Sequence, residues 1–467
     1  MRRIRIRLTR LIAEETWLFA SLIKWTLLAT AVGILAGCAT ALFLALLGWS
    51  TASMERAPLR LLWIPLGFLG AHLLVRWLAP DAEGHGTDKV IEAVHRRSGR
   101  IPLLVAPVKL AATVLTIAVG GSVGKEGPAA QIGASLASGL ASLLRLGRRD
   151  RRKLVICGIG AGFATVFGTP IAGAIFGLEV LVLGSLMYDV LYPSFVAGMV
   201  GYHIASRLGV RYFHQALYEV PHPTEGIFLK TIAAGAVFGL VALLLIEMLR
   251  LVHWITGRLP LPGWAIALGG GGLVAALAWL ASDRYLGLGI PTLEASILGA
   301  WVPWDAALLK ILFTSISLGT GGSGGIFTPI FFIGATAGST LGAFLGFDRG
   351  TFAAIGMVSV LAGAANAPLS ASIMAIELFG PAVAPYAAMS CVVSFLIVGH
   401  RSVYPSQVLG MSMARSVRVQ AGAELGSVRG VEVRPVRLRR TATILKALRK
   451  RRGDFPAAPR EPGRLRE

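Results

Sequence analysis

From Trp17 to about Val398 the chain is a succession of apolar stretches separated only by short polar breaks, and this constrains the fold more than any other feature. A soluble domain must present a polar surface. Hydrocarbon accepts an apolar surface all round and requires each main-chain group to be bonded within the protein, so stretches of this kind read as membrane helices. The composition points the same way: 55% of residues are hydrophobic, 15% are charged and mean hydropathy is +0.69. The reading is an all-α polytopic protein with one membrane domain over residues 1–412.

A net charge of +21 raises the question of nucleic acid, and the positions of the basic residues answer it. They cluster at the chain ends and in a short loop: Arg2, Arg3, Arg5, Arg7 and Arg10, then Arg145 to Lys153, then a tail with Arg437, Arg439, Arg440, Arg449, Lys450, Arg451 and Arg452. Basic flanks beside apolar spans follow the positive-inside rule, which puts both termini and the Arg148/Arg149 loop in the cytoplasm. The expected location is a bacterial inner (plasma) membrane, with anionic lipid rather than nucleic acid as the partner of the tail. No cleavage site follows the basic N-terminus, so it is not read as a removable signal. Cys38, Cys157 and Cys391 are too few and too scattered for a disulfide framework and read as packing residues. Residues 413–467 lose the apolar runs and read as a basic, mostly flexible cytoplasmic tail with a short helix around Thr441 to Arg452.

The chain also repeats itself. GSVGKEGPAAQIGAS at 121–135 meets GSGGIFTPIFFIGAT at 322–336 without a gap, and TPIAGAIFGLEV at 169–180 meets APLSASIMAIEL at 367–378. Both matches are offset by about two hundred residues and keep the same order. That implies two duplicated halves, about 17–208 and 226–410, and a substrate site at their interface.

Each repeated segment is a glycine-rich turn, then a proline near the first helical turn, then an apolar helix. Proline suits that position because the amide it lacks would be unpaired anyway. The remaining free N–H groups and the positive end of the helix dipole favour an anion. Irregular main chain inside a membrane is tolerated where it lines a cavity or is buried in protein. The competing reading is that these glycines only let helices pack closely.

These residues resemble the CLC family of chloride channels and proton/chloride antiporters, and the resemblance runs to about Leu409. GKEGP (Gly124 to Pro128) and GGIFTP (Gly324 to Pro329) match two family signatures, and APLSASIMAIE follows in order. The resemblance implies an inverted-repeat fold of tilted and broken helices and a homodimer with a pore in each subunit; no cofactor or metal is expected. It implies that Glu126 is the gating glutamate, whose carboxylate holds the outer anion site until it is protonated or displaced. The implied anion-binding set is Gly124, Lys125 and Gly127 from one signature, Gly325, Ile326 and Phe327 from another, Tyr404 near the last pore-lining helix, and His85 with Gly86. Lys125 is either a structural partner or an electrostatic lure near the mouth.

Two departures from the family pattern matter. GHGTD (Gly84 to Asp88) stands where a GSGIP-like stretch is expected, so His85 replaces the serine whose hydroxyl would meet the central anion. Asp88 and His95 raise a metal alternative that no second ligand cluster supports. The other departure is Val180, which stands where antiporters often carry a proton-transfer glutamate. Glu179 and its mirror Glu377 then read as carboxylates capping nearby main chain. The expected function is transport of chloride or a similar small anion, as a proton-coupled exchanger gated by Glu126. A passive channel is the alternative, and an intramembrane enzyme using His85, Asp88 and Glu126 lacks a convergent nucleophile. Pro128, as the chloride-type ending of GKEGP, argues against the fluoride-exporting branch.

Overall fold

The computed structural model describes residues 2–215, 217, 225–410, 417–418, 422–427 and 432–433. The predicted helix at Thr441 to Arg452, and most of the tail, lie outside the described residues.

The first half contains eight helices: α1 (Arg2–Glu55), α2 (Trp63–Leu78), α3 (Thr87–Arg96), α4 (Val105–Ala118), α5 (Glu126–Leu143), α6 (Arg148–Phe167), α7 (Pro170–Glu179) and α8 (Tyr188–Arg207). The second half repeats the count: α9 (Glu225–Thr256), α10 (Gly263–Leu280), α11 (Ile290–Ile297), α12 (Ala306–Gly319), α13 (Phe327–Leu345), α14 (Arg349–Ala365), α15 (Pro368–Phe379) and α16 (Ala384–Val398). Each half thus supplies its own version of every described helix, and of the mirrored pairs α2 packs on α10, α7 on α15 and, more narrowly, α5 on α13. The repeats read from the sequence are α5 with α13 and α7 with α15.

Among the described residues, six helical stretches are long and apolar enough to cross a membrane, including Glu15–Glu55, Gly226–Thr256 and Phe327–Leu345. Others stop short. α7 has 10 residues and α15 has 12; at about 1.5 Å per residue each covers roughly half of a ~30 Å hydrocarbon core. A helix that ends inside the membrane must have its terminal groups bonded by the rest of the protein. Pro170 and Pro368 open α7 and α15 at the first position, as the repeat predicts.

Close contact between α5 and α6 depends on Gly133 and Gly158, where a Cβ would lie 2.4 Å and 2.6 Å from the partner's carbonyl oxygen. Gly334 and Gly356 do the same for α13 and α14, at 2.4 Å and 2.3 Å. Small-residue packing therefore operates here alongside the site geometry. Cys157 and Cys391 are buried packing residues, but Cys38 is exposed. It stands on a side of α1 that no other described part of the chain covers, which corrects its expected packing role.

Two short parallel strands, β1 (Val182–Leu183) and β2 (Val408–Leu409), tie the end of α7 to the segment after α16. The chain beyond residue 412 returns to this place. The amides of Leu425 and Gly426 donate to the carbonyls of Gln407 and Pro405, Leu425 is buried, and Glu424 makes a two-pronged ion pair with Arg96.

Candidate functional site

The glycine-rich turns before α5 and α13 meet at the centre of the molecule. Gly124 and Gly325 exchange both main-chain hydrogen bonds, at 2.6 and 2.7 Å, as an isolated antiparallel bridge. Around it the halves exchange partners symmetrically: Ser122 N donates to Ser317 Oγ, and Ser323 N donates to Thr116 Oγ1. The bridge holds the N-termini of α5 and α13 against each other. Neither terminus is capped by the side chain of its own N-cap residue, Lys125 or Ile326, so first-turn N–H groups are left for another acceptor.

Glu126 opens α5 and is only 2% exposed. Its carboxylate does not turn back on its own helix. It crosses to the other half and accepts the amide of Thr328 at 3.1 Å and the Thr328 hydroxyl. A carboxylate therefore sits at the positive end of α13, the position that the helix dipole and free amides favour for an anion. Phe327, in the first turn of α13, packs its ring against Phe163 and Phe176, with centroids at 4.7 and 4.9 Å. With the ring engaged in that cluster, the groups Ile326 and Phe327 can offer an anion are their amides.

A third helix starts here too. Gly86 is the N-cap of α3 at φ +81, and a Cβ on it would lie 2.7 Å from the carbonyl oxygen of Gly127. Gly127 in turn leaves no room, since its Cβ would meet the His85 carbonyl oxygen at 2.3 Å. Both positions require glycine, Gly86 for its backbone conformation as well as for space. Thr87, the first residue of α3, and Tyr404 are fully buried. The Tyr404 ring lies 6.5 Å from that of Phe327.

His85 is half-buried. Its main chain packs on Gly127, and its ring interacts with the Val403 carbonyl, one residue before Tyr404. Asp88 accepts the amide and the hydroxyl of Ser406, and His95 Nε2 bonds the Leu181 carbonyl. The two residues of the metal alternative are thus engaged with different partners. Lys125 is the N-cap residue of α5. It lines a cavity of about 340 Å³ with Arg211, Thr51 and the last turns of α1.

The other mirrored carboxylates exchange ends between the halves. Glu179, at the end of α7, accepts the amides of Leu369 and Ser370 in the first turn of α15 at 2.9 and 2.8 Å. Glu377, near the end of α15, accepts those of Ile171 and Ala172 in α7 at 3.0 and 2.7 Å. Each half caps the helix that the other leaves open inside the membrane. Two buried lysines, also mirrored, escaped the sequence reading. Lys109 Nζ donates to the carbonyls of Ala82 and Gly84, and Lys310 Nζ to those of Tyr285 and Gly287, so each secures the loop before α3 or α11. Their equal distance from the two signatures, seventeen residues before Glu126 and before Phe327, was the available signal.

Two inverted halves whose broken helices bring their N-termini together around a buried carboxylate define a multi-pass membrane protein. The sequence profile of the family described as "Voltage gated chloride channel" matches residues 66–399. The chain belongs to this CLC family, whose members are channels or transporters and not enzymes, and it carries anions across a membrane. It is 40% identical over 406 residues to the "Chloride/fluoride channel protein" of Pseudomonas syringae pv. tomato, covering 85% of this chain and 89% of that one. It is 30% identical over 413 residues to the voltage-gated ClC-type chloride channel ClcB of Salmonella typhimurium, covering 81% and 97%. Among solved structures, a CLC-type fluoride/proton antiporter superposes with a TM-score of 0.79 at 31% identity, covering 83% of this chain and 98% of that one. A slow cyanobacterial Cl−/H+ antiporter, 20% identical with a TM-score of 0.68 over 81% and 93%, shares the fold.

Proposed function

We propose that the chain is a proton-coupled exchanger of small inorganic anions in which the Glu126 carboxylate occupies an anion site and leaves it on protonation or displacement. The observation that carries this reading is the pair of bonds from Thr328 to Glu126 across the two halves. A tethered anion held by the first turn of another helix competes with a free one for the same donors. Gly124, Gly127, Gly325, Ile326 and Phe327 form the main-chain frame of this site, Gly86 and Tyr404 lie further along the path with His85, and Lys125 with Arg211 attracts anions to one mouth.

The anion is chloride or fluoride. Pro128 argued against fluoride, but two relatives at 40% and 31% identity carry fluoride in their names, and they outweigh one motif position.

A passive channel is the second reading. Val180 is fully buried and apolar, and Glu179 is committed to capping α15, so neither offers a free carboxylate for protons. Reversal potentials in proteoliposomes under separate anion and pH gradients decide between the two. An exchanger shows a reversal potential displaced by the pH gradient and moves protons uphill when driven by the anion, whereas a channel follows the anion gradient alone.

We also place both termini in the cytoplasm of a bacterial inner membrane and expect a homodimer. Support for a common face comes from Lys24 in α1 pairing with Asp150 in the first turn of α6, and from Arg152 approaching His95 beside the Arg96–Glu424 pair. That sets the basic start of α6 beside Lys24, the end of α3 and Glu424. The division at residue 412, with a tail dispensable for transport, is part of the same proposal.

A further inference from the structure

The Tyr404 and Thr87 hydroxyls form a pair that the fold does not otherwise use. Both side chains are fully buried, and neither hydroxyl closes a hydrogen bond with any described group. The Tyr404 hydroxyl lies near Thr87 and within electrostatic reach of the Glu126 and Asp88 carboxylates, but no bond closes between the two hydroxyls. Thr87 Oγ1 lies 3.4 Å from the point a Cβ on Gly127 would occupy, which sets it beside the first turn of α5, one residue from Glu126. Thr87 also begins α3, whose N-cap Gly86 has no side chain to bond the first-turn amides. Leaving a buried hydroxyl without a partner costs about 1–3 kcal/mol, so two side by side at converging helix N-termini call for an acceptor.

We propose that Thr87 donates its hydroxyl to the transported halide at a site shared with Tyr404, and so supplies the side-chain donor that histidine at position 85 cannot supply as a hydroxyl. This rests on the reading that Tyr404 lines the anion path. The geometry of the pair is set from outside by Asp88. Its carboxylate holds both the amide and the hydroxyl of Ser406. Because Asp88 directly follows Thr87 and Ser406 lies two residues after Tyr404, a single clamp fixes both donors. Tyr404 is further held by its amide donating to Ser402 Oγ. Asp88 is in this sense a positioning residue. The ligand class is a single small halide ion, since the donors converge from short side chains and first-turn amides in a site with no room for a Cβ on Gly86 or Gly127.

The test is calorimetric titration of sodium chloride and, separately, sodium fluoride into the full-length chain purified in detergent. The variants are Thr87→Val, Thr87→Ser and Tyr404→Phe, each checked for a thermal midpoint close to the parent's. Thr87→Val keeps the shape and removes the donor, and it should weaken binding of whichever halide the parent holds by roughly ten-fold or more. Thr87→Ser should restore it. Unchanged affinity in Thr87→Val with weakened affinity in Tyr404→Phe would overturn the role of Thr87 while leaving that of Tyr404 standing. Unchanged affinity in both would overturn the inference together with the reading of Tyr404. If Thr87→Val fails to fold, Thr87→Ala against Thr87→Ser gives the same comparison. A lower thermal midpoint with unaltered affinity would mark a structural hydroxyl and overturn the proposal.

Discussion

Replacing Glu126 by Gln removes the charge and keeps nearly the same volume, so it tests the tethered-anion reading with little disturbance to the packing. Gln can accept the Thr328 amide through its oxygen and donate to the Thr328 hydroxyl through its nitrogen, so both contacts survive in neutral form. What changes is their strength. Hydrogen bonds to a charged group contribute about 1.5–3 kcal/mol and neutral ones about 0.5–1.5, so two bonds weaken by about 2 kcal/mol in total. By that measure the side chain should leave the N-terminus of α13 roughly thirty-fold more often, at about 1.4 kcal/mol per factor of ten. Anion flux should therefore persist or rise, lose its dependence on pH, and no longer drive protons, because Gln exchanges none. The assay is anion efflux with simultaneous proton flux from proteoliposomes at acidic and neutral pH. Folded Glu126→Gln protein that still moves protons against an anion gradient would refute the reasoning.

Removing a cap between the halves should cost stability rather than coupling. Glu179→Ala leaves two α15 amides without their acceptor, and a loss of about 2 kcal/mol is expected after allowing for the partial exposure of Glu179, read as a lower thermal midpoint in detergent. Anion and proton fluxes should stay in the parent ratio, and a changed ratio would place Glu179 on a proton path. Gly127→Ala drives a Cβ to 2.3 Å from the His85 carbonyl oxygen, so the structure must shift at about 3 kcal/mol, and folded yield should collapse in size-exclusion chromatography. His85→Ser removes the ring that reaches the Val403 carbonyl and should change the ratio of chloride to nitrate flux; an unchanged ratio at normal yield would put His85 outside the path. Truncation after Ser412 removes the Arg96–Glu424 pair and the main-chain bonds of Leu425 and Gly426, so it should lower the thermal midpoint while anion flux continues.

Much of this protein is determined locally. Hydrophobic runs, glycine turns and prolines at helix starts act over a few residues, so the sequence alone sufficed for the membrane class, the two halves, the broken helices at Glu126 and Phe327, and the capping role of Glu179 and Glu377. It could not say which end each carboxylate caps. Glu126 bonds Thr328, 202 residues away, Glu179 bonds Ser370, 191 away, and Asp88 bonds Ser406, 318 away. None of these pairs leaves a periodic trace, because each exists only once the halves are inverted and joined through Gly124 and Gly325. The same holds for Thr87. In the sequence it is a threonine after a glycine, while His85 occupies the place expected of the donor. In three dimensions the His85 ring reaches toward Val403, and it is the hydroxyl two residues on that stands beside Gly127 and Tyr404. Side-chain direction at a helix start depends on the φ of +81 at Gly86 and on which residue packs on Gly127, and only the tertiary structure settles these.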